Sequence, residues 1–166
     1  MLGLEAMRCL ALLTLPLFGC FAAPAAVLPD TVVASRDVAA VLDDWHEAAA
    51  RADEDRYFAH LASNAVFLGT DASERWDVPA FRAYAHPRFS QGKAWTFHAK
   101  DRHIAFSPDM RVAWFDESLT TDHLGPARGS GVLLSGPMGW TIAQYNLSVP
   151  IPNERFAAVK KVLDAR

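Results

Sequence analysis

The feature that most constrains this chain is a change of apolar period. From Ala94 to Val149 the dominant apolar period becomes two. Short breaks divide this stretch into runs at about 94–106, 111–121, 127–136 and 140–149. Strict alternation marks strands with one buried face. Ser107-Pro-Asp-Met110 and Gly136-Pro-Met-Gly139 read as turns between runs. Connections this short join spatial neighbours, so the runs predict an antiparallel meander.

Upstream of Ala94 the period is helical. Val38, Val41, Leu42, Trp45, Ala48, Ala49 and Ala52 recur on one helix face, with Asp43, Asp44, His46, Glu47 and Arg51 outside. Ser35 or Asp37 can cap that helix. Asp53 caps a shorter helix carrying Tyr57, Phe58 and Leu61, and Ala65 to Thr70 reads as a strand followed by a turn at Asp71 to Glu74. Asp77 caps a third helix with Pro79 in its first turn, and Pro87 marks its expected end. Asn153 caps a last helix with Phe156, Val159 and Leu163 on one side. The order is helix, helix, strand, helix, four strands, helix. That predicts an α+β fold in which a bent antiparallel sheet wraps three N-terminal helices.

The last strand, Trp140 to Ser148, carries the first functional expectation. Simple alternation puts Trp140, Ile142, Gln144 and Asn146 on one face. Buried amides are tolerated where they find partners, so Gln144 and Asn146 are read as lining a pocket or as tying neighbouring strands together.

Residues 1–25 read as an export signal. Met7-Arg8 precedes the apolar run Cys9 to Phe18, and a small-residue tail ends near Ala23-Pro-Ala25. The run is too short for a permanent span. Residues 26–34 read as a linker and 35–166 as the domain. Leu17-Phe-Gly-Cys20 resembles a bacterial lipoprotein box, and the sequence leaves open whether Cys20 is lipidated. The expected location is periplasmic or secreted, with membrane attachment only through that lipid. Both cysteines lie in the signal, so a chain cut after Ala25 has no thiol chemistry. At 51% hydrophobic and 21% charged residues the chain is globular; at net charge −3, without a Lys/Arg cluster, it offers nothing to nucleic acid.

Candidate chemistry centres on Asp116 and Glu117. Adjacent strand residues point to opposite faces, so one carboxylate is directed inward, and the alternation does not say which. Among aromatic residues such a carboxylate would have a raised pKa and could act as a base; paired with Arg102 or Arg128 it would be structural. Trp45, Phe67, Trp76, Tyr84 and Trp114 stand out among many aromatics. They are read as core, or as the wall of a cavity for a flat apolar molecule. No histidine has a partner at metal spacing, and Gly129-Ser-Gly131 lacks the Lys and helix of a phosphate loop. No metal or cofactor is expected.

Several stretches together carry a resemblance: the Trp45 helix, Asp53-Glu-Asp-Arg-Tyr-Phe58, Ala65-Val-Phe-Leu-Gly-Thr70, Trp76-Asp-Val-Pro-Ala-Phe-Arg82 and Gly139 to Ser148. From about 35 to 149 the chain resembles SnoaL-like, ketosteroid-isomerase-related domains of the nuclear-transport-factor-2-like superfamily. The resemblance implies a cone-shaped barrel with a deep cavity, often a homodimer through the outer sheet face. It does not fix an activity. Steroid-isomerase members use a carboxylate base at the end of the first strand and a Tyr on the first helix. Here those places fall near Gly69 and Trp45, which cannot transfer a proton, and Asp71 lies in the expected turn. Two readings follow. One is acid/base chemistry on a bound apolar molecule through Asp116 or Glu117; the other is a non-catalytic binding or dimeric assembly domain.

Overall fold

The computed structural model describes residues 30–165. The export segment and residues 26–29 of the linker lie outside them. Helix α1 spans Thr31–Ala50, α2 Glu54–Ala59 and α3 Val78–Phe89. Strands are β1 Leu61–Leu68, β2 Arg75–Asp77, β3 His98–Phe106, β4 Val112–Thr121, β5 Gly125–Gly136 and β6 Gly139–Ser148. A 3-10 turn at Asn153–Arg155 leads into α4, Phe156–Asp164.

The fold is α+β, with the strands in one curved sheet of order β2-β1-β6-β5-β4-β3. β3 through β6 form the expected antiparallel meander. β1 pairs β6 in parallel and β2 in antiparallel fashion. The helices pack on the concave face. Val38, Leu42, Trp45 and Ala48 of α1 join Tyr57, Phe81, Phe115, Leu133, Ile142 and Tyr145 in one buried core. Each fully buried large side chain contributes about 1.5–3 kcal/mol.

Local chemistry sets most helix ends, though not always as the sequence suggests. α1 begins at Thr31, ahead of Ser35 and Asp37, because Asp30 caps it: its Oδ1 accepts from Val32 N at 2.8 Å. Asp53 and Asp77 cap α2 and α3 as expected, accepting from Arg56 N and Ala80 N. α3 runs through Pro87 to Phe89. The proline falls in the last turn, and buried Phe89 anchors that turn to the core. Asn153 makes no cap, and α4 buries none of its residues.

Two irregularities decide which residues face inward. In β3, Asp101 and Arg102 together oppose Glu117 alone, because pairing passes from Lys100↔Ser118 to His103↔Asp116. Asp101 takes φ 48° to make the bulge. In β6, pairing passes from Leu133↔Ile142 to Val132↔Gln144, leaving Ala143 as the extra residue. That extra residue reverses the alternation beyond it. Ile142 and Tyr145 are both buried against the core, and Gln144 is exposed. Simple alternation therefore fails here. Gln144 and Asn146 lie on the convex face, where Asn146 pairs with Ser130 and Leu68, and they do not line the cavity.

Candidate functional site

The concave face and the helices enclose a cavity of about 260 Å³. Its aromatic wall comes from α1 (Trp45), α2 (Tyr57), β1 (Phe67), β2 (Trp76), α3 (Phe81, Tyr84), the segment before β3 (Trp95, Phe97) and β6 (Tyr145). The rings are ordered against one another. Phe67 stacks on Phe81 at 4.0 Å between centroids, Trp76 on Tyr84 at 4.5 Å and Trp45 on Tyr57 at 4.8 Å. Offset stacking of this kind fixes ring planes and leaves flat faces on the cavity wall. Thr70, Glu74, Arg88, Thr121 and His123 supply polar groups to the lining.

Of the residues singled out by sequence, Trp45, Phe67, Trp76 and Tyr84 line the cavity. Trp114 does not. It lies on the convex face, 48% exposed, because it shares the outward parity of Asp116 on β4. Asp116 also points outward. Its side chain is 60% exposed, with His103 Nδ1 at 3.5 Å from Oδ1.

Glu117 is the inward carboxylate and is fully buried. It is an anchored ion and does not line the cavity. His46 Nε2 lies 2.7 Å from Oε1, and Arg102 Nε donates to Oε2 at 2.7 Å. Arg102 Nη1 donates to Asp43 and to the Ala39 carbonyl, tying β3 to α1. Burial alone would push the Glu117 carboxyl up. His46 and Arg102 outweigh it and hold the group below its ordinary value, contrary to the raised pKa expected for an acid/base carboxyl among aromatics. The β3 bulge makes this contact, because it turns Arg102 inward.

Tyr145 stands between this ion cluster and the cavity. A methyl group on Gly129 would sit 3.0 Å from Glu117 Oε1 and would overlap Tyr145 Oη, so the glycine leaves room for both. Burial first, then the Glu117 charge, push the Tyr145 hydroxyl well above its ordinary pKa, with Arg102 opposing. Burial likewise raises Tyr57 well above its own, with Trp95 opposing. Trp45 Nε1 and Tyr145 Oη are buried without a hydrogen-bond partner among the described residues.

The cavity's carboxylate is Glu74, which the sequence reading left in a turn. Gly69 N donates to the Glu74 carbonyl at 2.9 Å. A side chain at position 69 would overlap Glu74 Oε2, so the Glu74 carboxylate fills the volume a residue-69 side chain would occupy. Its Oε2 also accepts from Asp71 N at 3.1 Å. A chain-order reading of the base position finds only Gly69. The missed signal is the tight Asp71-Ala-Ser-Glu74 turn, which folds the carboxylate back onto the end of β1. Among the described residues no group of three or more His, Cys, Asp or Glu is placed to hold a metal ion.

Solved structures share this architecture. A nuclear-transport-factor-2-like protein from Pseudomonas putida KT2440 superposes with TM-score 0.63 at 13% identity, covering 75% of this chain and 92% of its own. A cystatin-like-fold domain from Nostoc punctiforme PCC 73102 gives 0.66 at 14%, over 80% and 86%. A protein from Streptomyces avermitilis, provisionally called a dehydratase of the same fold family, gives 0.63 at 13%, over 74% and 100%. No curated protein matches the chain. The fold is therefore the cone of the nuclear-transport-factor-2-like class. Within it, the chain belongs to the SnoaL-like domain family, whose sequence pattern matches residues 38–152.

Proposed function

We propose that this SnoaL-like domain binds a small, flat, apolar molecule in its aromatic cavity and performs acid/base chemistry on it through Glu74. The observation that carries the reading is the cavity. Its stacked walls of Phe67, Trp76, Phe81 and Tyr84 offer flat faces to a ring system, and its polar groups are few. Glu74 supplies the proton-transfer group because it is the carboxylate among the lining residues and is held by the Asp71 amide. Trp45, Phe67, Trp76 and Tyr84 make the binding surface. Glu117 supports the floor and Asp116 takes no part.

The non-catalytic reading keeps one specific support. Neither carboxylate of the Asp116-Glu117 pair belongs to the cavity lining. Mass spectrometry of small molecules released from the purified protein separates the two readings. With acid/base chemistry, Glu74→Gln retains the copurified molecule but no longer converts it, and Trp76→Ala loses it. Conversion unaffected by Glu74→Gln leaves binding alone. Protein that carries nothing and takes up no aromatic probe sinks both.

Export through residues 1–25, with or without lipid at Cys20, belongs to the same proposal and rests on the sequence. So does pairing of two copies through the convex face, supported by the exposure of Trp114 and Leu134. Light scattering that finds a monomer at high concentration removes the pairing.

A further inference from the structure

We infer that the flat molecule held by this cavity carries a carboxylate at the end away from Glu74, where Arg88 and His123 receive it. The inference rests on the ligand-binding reading above and narrows it to one chemical class, aromatic acids.

The charge-bearing groups of the lining are Glu74, Arg88 and His123. They do not share one place. Glu74 lies in the turn between β1 and β2, just ahead of α3, which begins at Val78. Arg88 lies in the last turn of the same helix. From Val78 to Arg88 the helix rises about 15 Å, at roughly 1.5 Å per residue. The carboxylate and the guanidinium therefore enter the lining from opposite ends of α3. Phe81, Tyr84 and Arg88 recur at i, i+3 and i+7, the spacing of one helix face, and all three line the cavity. Two rings followed by a cation thus form one stripe along the wall.

The Arg88 guanidinium is unclaimed. Arg82 of the same helix is paired with Glu54 and Asp55, Arg56 with Asp44, and Arg102 with Glu117 and Asp43. No carboxylate among the described residues pairs Arg88, and none pairs His123. Asp122, which precedes His123 in the β4–β5 turn, lies outside the lining. An Arg presents a planar fork of donors that matches the two oxygens of a carboxylate. An imidazole adds an N–H in either tautomer. A cation in the last turn of a helix also meets the negative end of the helix dipole. That accounts for a cation at the end of α3, and not for its place in the cavity wall.

Charge also sets the direction in which such a ligand lies. With its carboxylate at Arg88, the molecule runs along Phe81 and Tyr84 and presents its far edge to Glu74, the proton-transfer group proposed above. Turned the other way, it would bring like charge against Glu74, which is repulsive.

Calorimetric titration of the purified protein with three probes of one shape tests this: 2-naphthoate, 2-naphthamide and 2-naphthylmethylammonium. The acid should bind about tenfold tighter than the amide, and the ammonium no tighter than the amide. Arg88→Gln should bring the acid down to the amide and leave the amide unchanged; circular dichroism checks the fold. Arg88→Glu should reverse the order of acid and ammonium. His123→Gln should weaken the acid about two- to threefold. Trp76→Ala should lose all three probes. Equal affinity for acid and amide overturns the inference and leaves the cavity reading intact. So does an acid preference that survives Arg88→Gln, which would confine Arg88 to the helix end. An acid preference that persists in folded Trp76→Ala overturns it too, because Arg88 would then be catching carboxylates outside the cavity. Failure of all three probes to bind takes the cavity reading down, and this inference with it.

Discussion

Asp116 and Glu117 are neighbours in sequence and lie on opposite sides of one strand. One carboxylate is in water, 3.5 Å from a histidine; the other is sealed between α1 and the sheet with Arg102 and His46 as its partners. Identical chemistry therefore takes on unrelated work, and environment alone makes the difference. The same contrast runs across the whole sheet. The concave face carries aromatic rings, unpaired donors and a buried ion cluster. The convex face carries Gln144, Asn146 and Trp114, which sequence reading had placed inside.

The largest effect expected from that contrast is at Glu117. Glu117→Ala leaves the largely buried Arg102 with only the exposed Asp43 as an anionic partner and takes away the buried partner of His46, which should destabilise by about 3–5 kcal/mol. Asp116→Ala should stay within about 0.5 kcal/mol of the parent. Chemical denaturation of both variants measures the gap, and equal effects would erase the distinction between the two faces.

Next comes Gly129. Gly129→Ala should cost about 1–3 kcal/mol, because the methyl overlaps Tyr145 Oη. Adding Tyr145→Phe should recover part of that loss, and a thermal double-mutant cycle reads the coupling. Additive effects would mean that Gly129 and Tyr145 do not share this space.

Tyr145→Phe alone sits lower on the scale. Removing an unpaired buried hydroxyl should leave the empty protein unchanged or about 1 kcal/mol more stable. A clear loss would show that the hydroxyl has an internal partner.

The acid limb of stability gives the finest discrimination. Glu117 is held below its ordinary carboxyl pKa, and an unfolded Glu titrates near about 4.3. Its stabilisation is therefore fully present above that pH and is lost as pH falls through the lower folded value. Glu117→Gln should flatten that part of the stability curve, whereas Asp116→Asn should leave it in place. An acid limb unchanged in Glu117→Gln would count against the buried ion cluster.

Much of the architecture was legible without coordinates. Alternation from Ala94 onward marked the meander, and the spacing of Val38, Leu42 and Trp45 marked the helix beneath it. Asp53 and Asp77 announced their helices because a short side-chain oxygen can satisfy an amide within its own turn. Trp45, Phe67, Trp76 and Tyr84 were legible as core or cavity candidates because each is a large aromatic ring. Legibility stopped at Trp114, read as core or cavity wall though it faces outward, and at Gln144 and Asn146, which simple alternation put on the face of Ile142.

What composition and local order determined was the set of elements, their sequence along the chain and the presence of an inward carboxylate on β4. Which face each later residue occupies was settled only in three dimensions, by one extra residue at Ala143 and another at Asp101–Arg102. A bulge forms where two curved strands must match lengths, and that mismatch exists only after the sheet has bent around its helices. The same bending brought Glu74 to the space beside Gly69 and Arg102 to Glu117, two meetings between residues that no local pattern connects.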